Sequence, residues 1–199
     1  MEPVRRSADS LIGMKFLEQL DQHIVLFNGL GELEDDFAHA AVWMAGCLVN
    51  GGKLFFCGNG GSAAAAQHMA AELTGRFVKD RRPLAAISLT ADTSALTAIA
   101  NDYAFDQVFA RQLRALGTEN DCLVVLSTSG NSPNIVEAAA AAQEIGMPVL
   151  GLLGRSGGRV RDLCSSAICV PSDSTARIQE AHEFIGHALV AHVEVALGL

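Results

Sequence analysis

Two short loops carry a high density of hydrogen-bond donors. They are Gly58-Asn59-Gly60-Gly61-Ser62 and Ser127-Thr128-Ser129-Gly130-Asn131-Ser132. Each follows an apolar run that reads as a strand, and each opens a segment that reads as a helix. Glycine permits close backbone approach. A helix N-terminus adds unpaired N–H groups and a dipole that favours an anion. The first loop can also be read as a plain strand-to-helix turn, with Ser62 as the N-cap. The second is harder to explain that way. It offers four hydroxyls and an amide where a cap needs one, and Pro133 suits the first helical position. Its chemistry is that of a grip on a phosphate monoester.

Nucleotide motifs fit these loops less well. Neither contains the GxxxxGK[ST] pattern. Gly58–Ala63 satisfies the looser GxGxxA dinucleotide form, but a lone match of that kind is weak, and two helices precede the strand.

Acid–base and metal-ligating types lie on two helical segments. His68 and Glu72 are four apart and share a face. Gln179 and His187 lie two turns apart near the end of the chain, with His182 and Glu183 between them. Taken singly, each histidine reads as a packing residue. Together, two imidazoles, a carboxylate and an amide oxygen suit a divalent ion. The same set holds a candidate base, Glu72, and a candidate acid, His187. Spacing alone leaves open whether the two helices meet.

The elements that must position these groups follow a clear rhythm. Two helices are expected first, near 8–28 (with Leu11, Met14, Leu17, Leu20, Ile24 and Phe27 at helical spacing) and 33–48. Short apolar strands then alternate with helices: strands at 53–57, 84–89, 122–126, 148–153 and 167–170, and helices after the first loop, at 93–100, from Pro133 to about Gly146, and at 174–196. This alternation implies a parallel sheet covered on both faces. The expected fold is an α/β three-layer sandwich with a five-stranded, flavodoxin-like sheet plus two N-terminal helices. Ligands in such folds bind at the carboxyl ends of strands. No linker or repeat divides the chain, so residues 1–199 read as one domain, with helices in 1–50 and the core in 51–199.

Bulk properties narrow the classes. Half the 199 residues are hydrophobic and 18% are charged, which excludes a disordered chain. A net charge of −8 disfavours nucleic-acid binding, which needs a basic footprint. The five cysteines form no CxxC pair and read as reduced thiols. No signal core follows the N-terminus and no apolar run could cross a bilayer, so a cytoplasmic location is expected.

Four segments carry a family resemblance: CGNGGSAAAAQHMAAELTGRF, LTADTSALTAIANDYAFDQVFARQLRALG, LSTSGNSPNIVEA and DSTARIQEAHEFIGH. They resemble the phosphoheptose isomerase branch of the sugar-isomerase (SIS) domain family, over nearly the whole chain. The hydroxyl loop is shared across SIS domains. The AAELTGR and RIQEAH segments with His187 downstream are more specific. The resemblance implies an intramolecular oxidoreductase that converts D-sedoheptulose 7-phosphate to D-glycero-D-manno-heptose 7-phosphate. This is the first step toward heptose for lipopolysaccharide or related surface glycans.

The resemblance also implies a homotetramer with active sites between subunits. Ser127, Thr128, Ser129 and Ser132 match the family's phosphate grip, and Asn59, Gly60, Gly61 and Ser62 its substrate loop. Arg76, Asn101 and Asp102 match further substrate positions. His68, Glu72, Gln179 and His187 match its zinc ligands, one ion per subunit, with Glu72 and His187 as the acid–base pair. One departure stands out: Ala65 occupies a place where the family usually carries aspartate.

Two rivals are weighed against this reading. Some SIS relatives bind the bacterial replication initiator and are not isomerases, but they typically lack the equivalents of Glu72 and His187. An SIS protein acting on another sugar phosphate would share both loops.

Overall fold

In a computed structural model, the described backbone runs from Pro3 to Leu199, and side chains are described from Lys15 onward. The expected positions of Leu11 and Met14 therefore lie outside the described side chains. The chain begins with two helices, α1 (Pro3–Gly29) and α2 (Glu34–Val49), joined by a turn of 3-10 helix at Leu30–Leu33. The core then alternates: β1 (Leu54–Gly58), α3 (Gly61–Thr74), β2 (Ala86–Ser88), α4 (Thr93–Asp102), α5 (Ala110–Leu116), β3 (Cys122–Ser127), α6 (Pro133–Ile145), β4 (Val149–Gly154), α7 (Gly158–Arg161), β5 (Ser166–Val170) and α8 (Thr175–Ala196).

All five strands are parallel, in the order β2-β1-β3-β4-β5. This is the flavodoxin-like order that the alternation predicted. β1, β3 and β4 are buried along their whole length, as expected for strands covered on both faces. Successive side chains go to opposite cores. Phe56, Val124 and Leu126 pack beneath α2, α3 and α8. Phe55, Leu123 and Val125 pack beneath α5 and α6. The strand period of two thus separates two hydrophobic layers.

Three segments differ from the sequence reading, among them the single turn of helix at Gly158–Arg161, which it did not anticipate. The edge strand β2 is three residues long, not six: the Leu84 N–H turns back to Leu73 O of α3 at 3.0 Å, and Leu89 makes the last bond to β1, N–H to Phe56 O at 2.9 Å. Residues 110–116 form a helix that the apolar rhythm did not isolate; Ala110, Gln112 and Leu113 bury its inner side. At the far end of the sheet, Asp121 fastens the starts of β1 and β3. It accepts from Lys53 N (2.9 Å) and Nζ (2.7 Å), and from Thr118 N (2.8 Å) and Oγ1 (2.9 Å).

α1 keeps a broad apolar face exposed, with Phe16, Leu17, Leu20, Ile24 and Val25 open to solvent. It is tied to α8 through a short polar chain. Arg177 donates to the Gln19 carbonyl and to Glu180, and Glu180 pairs with His23 Nδ1 at 2.8 Å.

Candidate active site

The β1–α3 junction builds the first wall. α3 begins at Gly61, and its N-cap, Gly60, makes no side-chain capping bond. Ser62 is therefore not the cap. It is buried in the first turn, with its N–H donating to Asn59 O at 3.0 Å. The Ala63 N–H likewise turns back, to Gly60 O at 3.0 Å, so this wall attracts an anion through the positive end of the helix dipole rather than through a row of free amides. Gly61 is required for contact with the last helix: a Cβ there would lie 2.7–2.9 Å from the Gln179 carboxamide. That approach brings α3 and α8 together at the loop.

The β3–α6 loop builds the opposite wall. Ser127 Oγ accepts from Gly130 N (3.0 Å) and Ser129 Oγ accepts from Asn131 N (3.2 Å). Each hydroxyl spends a lone pair on bracing the loop, so its proton is left to donate outward. Ser132 occupies the N-cap of α6 without a side-chain capping bond. Gly130 has φ +64°, and a Cβ there would fall 1.8 Å from Gly157 O. The loop thus rests directly on the turn after β4, fastened by Val160 N to Gly130 O (2.9 Å) and Arg159 N to Asn131 Oδ1 (3.1 Å).

Between the walls lies a polar pocket of about 60 Å³ lined by Asn59, Ser62, Leu126, Ser127, Thr128, Ser129, Ser132 and Gln179. It sits at the carboxyl ends of β1 and β3. Asn59 has a second task, because its amide pairs reciprocally with that of buried Asn134, at 2.8 Å in both directions. Sequence reasoning missed Asn134. Its place in the first turn of α6, directly after Pro133, was the available signal.

Further along the α3–α8 pair the titratable groups converge. His68 Nε2 lies 2.9 Å from His187 Nε2 and 3.4 Å from Glu72 Oε1. Ligand atoms of all three lie within 4.8 Å of one another. The two helices do meet, which spacing left open. Phe77 stacks on the His187 ring at a centroid distance of 5.5 Å, and Gly186 lets α8 approach Met69 of α3, where a Cβ would stand 3.0 Å from its sulfur. Two imidazoles and a carboxylate at this spacing fit a tetrahedral divalent ion, whose bonds to nitrogen and oxygen are about 2.0–2.2 Å.

Three expected substrate-binding side chains lie in neither the pocket nor the cluster. Arg76 is exposed just past α3 and donates to Val78 O at 3.3 Å. Asn101 and Asp102 are exposed at the end of α4 and hydrogen-bond each other at 2.8 Å. Ala65 lies on the buried face of α3, in the core. An aspartate there would need a buried partner, whereas alanine needs none.

A parallel sheet with a hydroxyl pocket at its carboxyl edge, beside an imidazole–carboxylate cluster, defines an SIS-type sugar-phosphate protein. The sequence model of the SIS domain matches residues 21–154. A phosphoheptose isomerase of Campylobacter jejuni is 56% identical over 157 residues, covering 79% of this chain and 84% of the relative. The structure of phosphoheptose isomerase from Neisseria gonorrhoeae superposes with a TM-score of 0.88 at 45% identity, covering 92% of this chain and 99% of the other. The corresponding enzyme of Francisella tularensis gives 0.85 at 41% identity, covering 95% and 98%. The chain belongs to the SIS domain family and, within it, to the phosphoheptose isomerases, and it is a sugar-phosphate isomerase.

Proposed function

We infer that this chain interconverts D-sedoheptulose 7-phosphate and D-glycero-D-manno-heptose 7-phosphate. The observation that carries the reading is the spacing of two chemistries along one helix. From Ser62 in the hydroxyl pocket to His68 in the cluster, α3 rises about 9 Å. An extended chain covers about 1.2 Å per bond, so the seven bonds from the C2 carbonyl to the phosphorus span roughly 8–9 Å. A heptose phosphate held at its phosphate by Ser127, Thr128, Ser129 and Ser132 reaches the cluster with its C1–C2 end.

There Glu72 removes the proton from C1 as the C2 carbonyl becomes an enediol(ate), then returns it to C2. His187 moves the hydroxyl proton between O1 and O2. The phosphate, far from the reacting carbons, supplies binding energy that orients them. His68, Glu72, His187 and Gln179 would hold a zinc ion. When bound, it supplies Lewis-acid polarisation of the carbonyl.

Arg76, Asn101 and Asp102 reach substrate from a neighbouring subunit in this reading. Their place outside the pocket of a single chain and the exposed apolar face of α1 support a homotetramer. A cytoplasmic role at the head of heptose supply for surface glycans follows from the substrate; no described helix is long and apolar enough to cross a membrane. Incubation with sedoheptulose 7-phosphate and assay of the aldose tests the reading directly. Absence of product from folded, zinc-loaded protein, alongside turnover of another ketose phosphate, would replace the substrate.

A further inference from the structure

The loop between α3 and β2 sends one buried cation back beneath the site. The side chain of Arg81 is 2% exposed. Its Nη2 donates to Glu72 O (2.8 Å), and its Nη1 to Leu73 O (2.8 Å), Gly75 O (3.1 Å) and Arg82 O (3.1 Å). The guanidinium therefore takes up carbonyls that the end of a helix leaves without intrahelical partners, and it places a positive charge at the negative pole of α3. Its remaining edge faces the other helix: Nε donates to Glu194 Oε1 at 2.7 Å, and that carboxylate is itself 9% exposed. Glu194 lies two turns beyond His187 on α8. One planar group thus grips the backbone of the residue that carries the base and the helix that carries the acid.

We propose that Arg81 is a positioning residue for the isomerisation, fixing the end of α3 against α8 and so setting the gap between Glu72 and His187. The proposal rests on the reading of Glu72 as the base. Its logic is mechanical. Glu72 is the third residue from the end of α3, where a helix frays unless its carbonyls are satisfied. A carboxylate that must reach a carbon-bound proton tolerates little displacement, and an error of about 1 Å can cost as much as 10²-fold. Lysine cannot replace this group, because one ammonium cannot span Glu72 O, Leu73 O and Glu194 together.

The test uses the full-length protein with Arg81→Lys, Glu194→Gln and Glu72→Gln, alone and combined. Thermal melts establish folding, and kcat and KM are measured on sedoheptulose 7-phosphate. Arg81→Lys is expected to lower kcat about tenfold with KM nearly unchanged, because the phosphate pocket lies at the other end of α3. In the Glu72→Gln background the same change is expected to cost nothing further, since Arg81 acts through that carboxylate. Should Arg81→Lys not fold, Glu194→Gln, which removes only the charged anchor on α8, is expected to lower kcat severalfold with the same non-additivity. An unchanged kcat in the folded variant, or a full additional loss on top of Glu72→Gln, overturns the proposal. Near-normal turnover of Glu72→Gln by itself removes the base assignment, and the proposal with it.

Discussion

The two ends of the sheet are built on opposite rules. At the amino ends of β1 and β3, Asp121 accepts hydrogen bonds from Lys53 and Thr118 and its side chain is 2% exposed. Burial pushes its carboxyl pKa up, but these hydrogen bonds outweigh that and hold it below the ordinary carboxylate value. At the carboxyl ends, serine and threonine hydroxyls line a pocket with donors to spare, and an imidazole–carboxylate cluster lies further along α3 and α8. Size does not separate the two ends. The larger cavity, about 390 Å³, lies at the amino end against Trp43, Asn120 and Pro148, yet it gathers no such set of donors. Unspent polar capacity, rather than volume, distinguishes the working end from the structural one.

If that contrast is right, substitutions at the pocket should change turnover and those at the far end should change stability. The largest effect is expected from Glu72→Gln and from His187→Gln, each lowering kcat by about 10²-fold or more with the melting temperature near that of the parent. Steady-state kinetics beside a thermal melt checks both halves.

His182 sharpens the comparison, because it belongs to α8 but turns away from the pocket. Its Nε2 bonds Leu153 O at 3.0 Å, its Nδ1 is buried without a partner, and burial pushes its pKa from 6.5 down to about 4. The folded chain therefore holds it neutral while the unfolded chain protonates it below pH 6.5. Stability is complete above that pH and falls as pH drops toward 4, by roughly 3 kcal/mol in all. Denaturant midpoints across this range should show the slope, and His182→Gln should flatten it.

Asp121→Asn should cost about 2 kcal/mol of stability, the scale of a buried hydrogen-bonded carboxylate losing its partners, and leave kcat/KM unchanged. A loss of turnover there would erase the distinction between the two ends. The smallest effect belongs to Thr128→Val, which removes one phosphate donor from an otherwise intact loop. KM should rise roughly tenfold, the value of one hydrogen bond to a charged group, with kcat little affected.

Most of the fold was legible because buried strands and amphipathic helices announce themselves by period. The flavodoxin-like order followed from short apolar runs alternating with helices. The helix at Ala110–Leu116 was not isolated, because seven residues offer too few turns for a period to stand out. At the site, residue type was legible and reach was not. The hydroxyl loop could be read from its density of donors, and His68 and Glu72 from a spacing of four. What joined them to His187 was the close passage of α3 and α8 at Gly61 and Gly186, a property of three dimensions. Asn134 and Arg81 escaped notice for the same reason: an amide and a guanidinium look ordinary until their partners, 75 and 113 residues away, are in view.

The seating of the hydroxyl loop on Gly157 has a consequence for altering this protein's substrate range. With a carbonyl oxygen 1.8 Å from where a Cβ at residue 130 would stand, that wall has no room for drift. Libraries that vary residue 130 should return mostly inactive clones. Variation aimed at longer or shorter sugars belongs on the facing surfaces of the helix pair, where changing a side chain moves the distance to the reacting carbons without disturbing the anchor.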